Sequence, residues 1–123
     1  MNDNPPINGR FPLIVVKRCY YDEYEAGRKT IEYRLHRAPF TRKAYYPGRW
    51  VRIAPNFNIK LHPSLIARVL SFDVMRAGDP CLSQIQGARA SLERVYPDLS
   101  PDAELALIGL RVYRGAGSAR ETG

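Results

Sequence analysis

Residues 20–36 read YYDEYEAGRKTIEYRLH, and a change of period inside this stretch decides the fold. Over residues 20–26 the aromatic side chains Tyr20, Tyr21 and Tyr24 fall at helical spacing, which predicts a short helix. Gly27 follows, the residue type that commonly ends a helix. From Thr30 to His36 the period becomes two, so this segment reads as a strand. Ile31, Tyr33 and Leu35 share one face, expected to enter the core. Thr30, Glu32, Arg34 and His36 share the other. Lys29 sits where helix gives way to strand.

Outward from this junction, residues 12–17 (PLIVVK) are rich in β-branched side chains and predict a buried strand. Residues 37–49 hold Pro39, Pro47 and Gly48 and read as a long loop, of the kind that often binds something in a small domain. Residues 50–54 (WVRIA) predict a strand and residues 55–63 a turn. Residues 65–74 predict a longer strand, with a helix as the alternative, and residues 78–80 break it. Residues 86–96 carry Ala88, Leu92, Val95 and Tyr96 at helical spacing, stopped by Pro97. Residues 104–113 predict a last strand. About five strands and two short helices, with no βαβ repeat, make an α+β domain over residues 10–114, and a mixed, partly closed β-barrel fits them better than a parallel sheet. Residues 1–9 are expected to form a flexible leader and residues 115–123 a flexible tail.

The 123 residues suit one domain, and 45% apolar and 25% charged residues are ordinary globular values. The formal net charge is +7, which attracts polyanions or simply aids solubility. Most of it sits between Arg28 and Arg52, where Arg28, Lys29, Arg34, Arg37, Arg42, Lys43, Arg49 and Arg52 face the single acid Glu32. Tyr33, Phe40, Tyr45, Tyr46 and Trp50 interleave them. Cations with aromatic rings suit unpaired nucleotides better than a smooth duplex, although about half of these rings are expected in the core. The two cysteines, Cys19 and Cys81, form no Cys-x-x-Cys pair, and the start is not apolar, so a reduced cytoplasmic protein is expected. No apolar run approaches the roughly 20 residues of a membrane span.

The sequence has no Walker phosphate loop, no dinucleotide glycine fingerprint, no His-Glu-x-x-His and no Gly-x-Ser-x-Gly. With only His36 and His62, a structural metal is not expected, nor is a cofactor. The chemistry therefore falls on residues 27–34 (GRKTIEYR). Gly27 lets backbone approach a ligand closely. Lys29 and Arg34 suit a phosphate or a carbonyl oxygen. Glu32 suits hydrogen bonds from a base edge or work as a general base, and a desolvated lysine suits proton transfer. The plainer alternative is an exposed Glu32–Arg34 ion pair worth about 0–1 kcal/mol.

At this segment the chain resembles the ASCH family of the PUA-like superfamily, through Tyr20, Tyr21, Tyr24, Gly27, Lys29, Glu32 and Arg34 in order. Gly48, Arg49, Trp50, Val51, Arg52 and Ile53 resemble the family's later Gly-Asp strand, with Arg49 where Asp is usual. The resemblance spans roughly residues 12–113 and is sharp over residues 20–34. It implies a PUA-like mixed β-barrel with a cleft for RNA or a modified nucleoside. Some members are acetylcytidine amidohydrolases and others ribonucleases of single strands. Lys29 matches the amidohydrolases' working lysine. Their threonine falls at Glu32, and their later glutamate has no match in residues 75–89, where Asp79 is the only acid.

The leading expectation is an RNA- or nucleotide-binding domain using Lys29, Arg34, Arg37, Arg42, Lys43, Arg49 and Arg52, with Tyr20 and Tyr21 stacking. The alternative is a hydrolase of RNA or a modified nucleoside, with Lys29 and Glu32 catalytic. A protein-interaction module is a third.

Overall fold

The computed structural model describes residues 4–6, 9–60, 62–85 and 87–115. Residues 1–3 and 7–8 of the expected leader, and 116–123 of the expected tail, lie outside the described residues. The chain forms strand β1 (Leu13–Val15), helix α1 (Arg18–Glu25), β2 (Ile31–Leu35), β3 (Trp50–Ala54), β4 (Leu65–Arg76), a 3-10 turn (Pro80–Gln84), α2 (Ala88–Val95) and β5 (Glu104–Val112). It is an α+β fold around one mixed sheet. The strand order is β1-β3-β4-β5-β2, with β1 and β3 parallel and the other neighbours antiparallel.

The alternating pattern sorts the apolar side chains onto both faces of the sheet. Ile14, Val51, Ile53, Val69, Ile108 and Leu110 point to one side, where Tyr21 and Tyr24 of α1 and Tyr45 of the 37–49 loop complete the larger core. Leu105 and Leu107 point to the other side and meet Leu82 and, from α2, Ala88 and Leu92. Ile31, Tyr33 and Leu35 pack into this second cluster, so their face of β2 is covered by α2. Residues 65–76 form a strand rather than the alternative helix, paired on both sides. The register slips between Val69 and Ser71, a bulge that bends β4.

The sheet does not close into the barrel expected from the sequence. Strands β1 and β2 are its two edges and share no ladder. One side chain bridges them: the Arg34 guanidinium Nη2 donates to the Val15 carbonyl at 2.6 Å. Strand β1 has only three residues, and the Arg34 guanidinium occupies the Val15 carbonyl, an acceptor that a ladder would use. The opening between these edges is where the chemistry lies.

Candidate functional site

The turn after α1 places Lys29. The Gly27 backbone lies in the left-handed region at φ 81°, where a Cβ is strained. The Arg28 and Lys29 amides both donate to the Glu23 carbonyl, at 2.9 and 3.2 Å. Arg114 donates to the Tyr24 and Glu25 carbonyls, satisfying the C-terminal end of α1. The chain thus reverses tightly and delivers Lys29 beneath the helix.

The Lys29 side chain is only 14% exposed. Its ammonium donates to the Ile31 carbonyl at 2.7 Å. It lies 4.9 Å from the Tyr33 ring centroid, 5.3 Å from that of Tyr20 and 5.4 Å from that of Tyr24. Three rings around one cation supply attraction worth about 0.5–2 kcal/mol for each favourable contact, depending on desolvation. Burial nonetheless pushes the Lys29 pKa down from its ordinary 10.5, Glu32 pulls it up, and Arg34 pushes it down again. Burial prevails, and the amine gives up its proton more easily than a surface lysine does.

Glu32 is 5% exposed, so the exposed ion pair is replaced by a buried one. The Tyr24 hydroxyl donates to Oε1 at 2.7 Å, and Arg34 Nε donates to Oε2 at 2.6 Å. Lys29 Nζ stands 4.0 Å from Oε1. Both carboxylate oxygens are therefore engaged from within the fold. Burial and the neighbouring Glu32 raise the Tyr24 pKa well above 10.0, which keeps that hydroxyl a neutral donor. Arg34 also lies over the Phe40 ring at 4.8 Å. Two cations share one carboxylate here, a net positive centre inside the protein.

A cavity of about 200 Å³ opens beside this centre, between the edge strands and α2. Lys29, Glu32, Tyr33 and Arg34 line one wall, and Ser91 and Tyr96 line the other. Val15, Lys17 and Tyr20 complete it. A wider groove adjoins it, sharing Tyr20, Lys29, Tyr33 and Ser91 and edged by Arg28 and Arg94. The Tyr20 hydroxyl is buried with no hydrogen-bond partner. A group in the cavity that accepts a hydrogen bond would satisfy it.

The structure brings Lys29, Glu32, Arg34 and Tyr20 together. Tyr21 goes elsewhere: it is 2% exposed in the larger core, so its ring cannot stack on a base. The helical turn of 100° per residue separates it from Tyr20. The loop cations also stand apart, and residues 37–49 line neither cavity. Arg42 donates to the Phe72 carbonyl, Arg49 to that of Ala44, and Arg52 to the Ser64 hydroxyl. Arg37 and Lys43 are exposed. Tyr24, Tyr33, the α2 residues Ser91 and Arg94, and Tyr96 just after α2 belong to the site but were not among the expected site residues. The tyrosine spacing before Gly27 signals Tyr24, and the alternation of β2 places Tyr33, but Ser91, Arg94 and Tyr96 have no local signal.

Among the described residues, no three His, Cys, Asp or Glu side chains gather where they could hold a metal ion. No helix among the described residues is long and apolar enough to cross a membrane. No family model, curated protein or solved structure matches the chain.

Proposed function

We propose that the cleft between β1, β2 and α2 binds RNA through an unpaired nucleotide, or binds a modified nucleoside. The observation that carries this is Lys29, a buried cation ringed by Tyr20, Tyr24 and Tyr33 on the wall of a cavity. The rings offer faces for a base, and Lys29 with Arg34 offers positive charge to a phosphate or carbonyl oxygen. The cavity volume, about 200 Å³, lies below the roughly 300–1,000 Å³ of pockets for drug-sized ligands. One base fits that size better than a large cofactor does. In this reading the sheet is an open version of the PUA-like barrel, and the ASCH resemblance at residues 20–34 supports the same ligand class.

Hydrolysis is a second reading, favoured by the lowered pKa of Lys29. Any such activity rests on Lys29 rather than Glu32, whose oxygens are held by Tyr24 and Arg34. Glu32 then positions Lys29 and Arg34.

Calorimetric titration with N4-acetylcytidine and with a short oligouridylate tests both readings, with product analysis on the same samples. Lys29→Ala is expected to weaken binding at least about tenfold, the worth of one charged hydrogen bond. Equal affinity for N4-acetylcytidine in wild type and Lys29→Ala would overturn the cleft assignment. Product formation by wild type and not by Lys29→Ala would establish the hydrolase.

A further inference from the structure

The outer face of the sheet is only partly covered. Helix α2 packs over Leu105 and Leu107 at one end. The other end carries Trp50 and Arg52 on β3, Arg68 on β4 and Arg111 on β5. Their neighbours Val51, Val69 and Leu110 enter the larger core, so alternation turns these four outward. The register sets Trp50 opposite Arg68, and Arg68 opposite Arg111. An aromatic ring and two guanidiniums thus form one row across three strands.

The details suit contact with a ligand. The Arg68 guanidinium lies over the Trp50 ring at 5.2 Å, and Tyr113 meets that ring edge-on at 5.9 Å. Arg52 lies over the Phe11 ring at 6.0 Å. The Arg111 side chain is exposed and makes no hydrogen bond or ion pair with any described residue. Leu70, at the bulge, is 54% exposed. Along β4 the nearest carboxylate is Asp73, beyond that bulge, and β3 has none. A depression of about 540 Å³ runs from Leu70 and Arg111 to Thr30 and Lys29, and so reaches the turn that the cleft also uses.

We infer that this outer face is a second binding surface, a platform for single-stranded nucleic acid that lies across β3, β4 and β5. Arg52, Arg68 and Arg111 contact phosphates, and bases stack at Trp50 and Tyr113. Charge complementarity selects a polyanion. The sheet face with its aromatic and aliphatic side chains selects unpaired bases, because a duplex hides the base faces that such a surface reads. The platform stands on its own residues and goes beyond the cleft.

Trp50 is the chain's one tryptophan, so its fluorescence reports on this face and not on the cleft. The test titrates the protein with oligouridylate of about ten nucleotides, a length within the site sizes of single-strand binders, following Trp50 emission and the anisotropy of a labelled oligonucleotide. Saturable quenching of Trp50 that follows the anisotropy is expected. Arg111→Glu is expected to weaken it about tenfold and to lower the slope of log affinity against log salt by about one, whereas Arg111→Lys keeps both near wild type. Lys29→Ala leaves the amplitude of the Trp50 response in place, and Arg111→Glu leaves nucleoside binding in the cleft intact. No oligonucleotide binding, binding without a Trp50 change, or an Arg111→Glu protein that binds like wild type would each overturn the platform. Equal quenching by polyglutamate, by anionic vesicles or by duplex RNA would replace it with generic polyanion binding.

Discussion

Two basic regions lie next to each other in the sequence and treat their charge in opposite ways. In residues 27–34, Lys29 and Arg34 are drawn inside, where they share the buried carboxylate of Glu32 and border a cavity. In residues 37–49 the cations stay outside or are used locally. Arg42 and Arg49 hold backbone carbonyls, while Arg37 and Lys43 face solvent. The second region has more charge, and the first lines the cavity. Density of charge along a chain marks solvation or long-range attraction. Burial of charge beside a cavity costs free energy, which the pairing with Glu32 and the hydrogen bonds around it offset.

The largest expected difference between the regions is in stability. Glu32→Gln removes the charge that balances Lys29 and Arg34, and urea unfolding is expected to show a loss of about 3–5 kcal/mol. Arg37→Gln and Lys43→Gln are expected to stay within about 0.5 kcal/mol of wild type. Equal losses in both regions would erase the contrast.

Arg34→Lys comes next. Lysine keeps the charge but cannot donate to Glu32 and Val15 together from a planar fork. A loss of about 1–3 kcal/mol is expected, the cost of leaving a buried acceptor unmet. Arg42→Lys provides the comparison in the loop. Its single donation to Phe72 lies at the part-buried margin, so a smaller loss is expected there.

Lys29 also gives a pH signature. Folding lowers its pKa from 10.5, so in the alkaline range the native state sheds this proton before the unfolded chain does. Stability from this group therefore rises with pH, through a window ending at 10.5. Tyr24, Tyr33 and Tyr45 have the opposite sign: their raised pKa values cost stability only as pH climbs past 10.0. The difference between wild type and Lys29→Met, measured by urea unfolding up to about pH 10, isolates Lys29. A difference that stays flat with pH would contradict its burial as a cation.

The smallest effect is expected at Tyr20. Its hydroxyl is buried and makes no hydrogen bond, so Tyr20→Phe is expected to leave stability unchanged or raise it by up to about 1 kcal/mol. The same change is expected to weaken binding in the cleft severalfold. A clear fall in stability would mean that the hydroxyl already has a partner.

Much of this fold was legible in the sequence. Strand β3 falls where WVRIA predicts it, and β2, β4, β5 and both helices lie within two residues of the expected limits at each end. These elements have clear periods and punctuation by Gly27, Pro97 and the 55–63 turn. The openness of the sheet was not legible, because whether two edge strands pair is a contact across the chain, and here only the Arg34 side chain reaches from β2 to Val15, 19 residues earlier. The pairing of Lys29, Glu32 and Arg34 could be read from their spacing, but its burial could not. Both faces of β2 are covered, one by α1 and one by α2, and alternation alone does not say so. Tyr33 was expected on the core face of β2 and among the rings that interleave the basic stretch. It also reaches Lys29, which precedes the strand and is bound to neither of its faces. The α2 wall is a contact across some sixty positions, with no local signature.

The most direct test of the cleft is an amide NMR titration with N4-acetylcytidine. Shifts are expected at residues 29–34 and 91–96, which line the cavity from both sides, while residues 37–49 stay still. Shifts concentrated in residues 37–49, with 29–34 and 91–96 unmoved, would contradict the account.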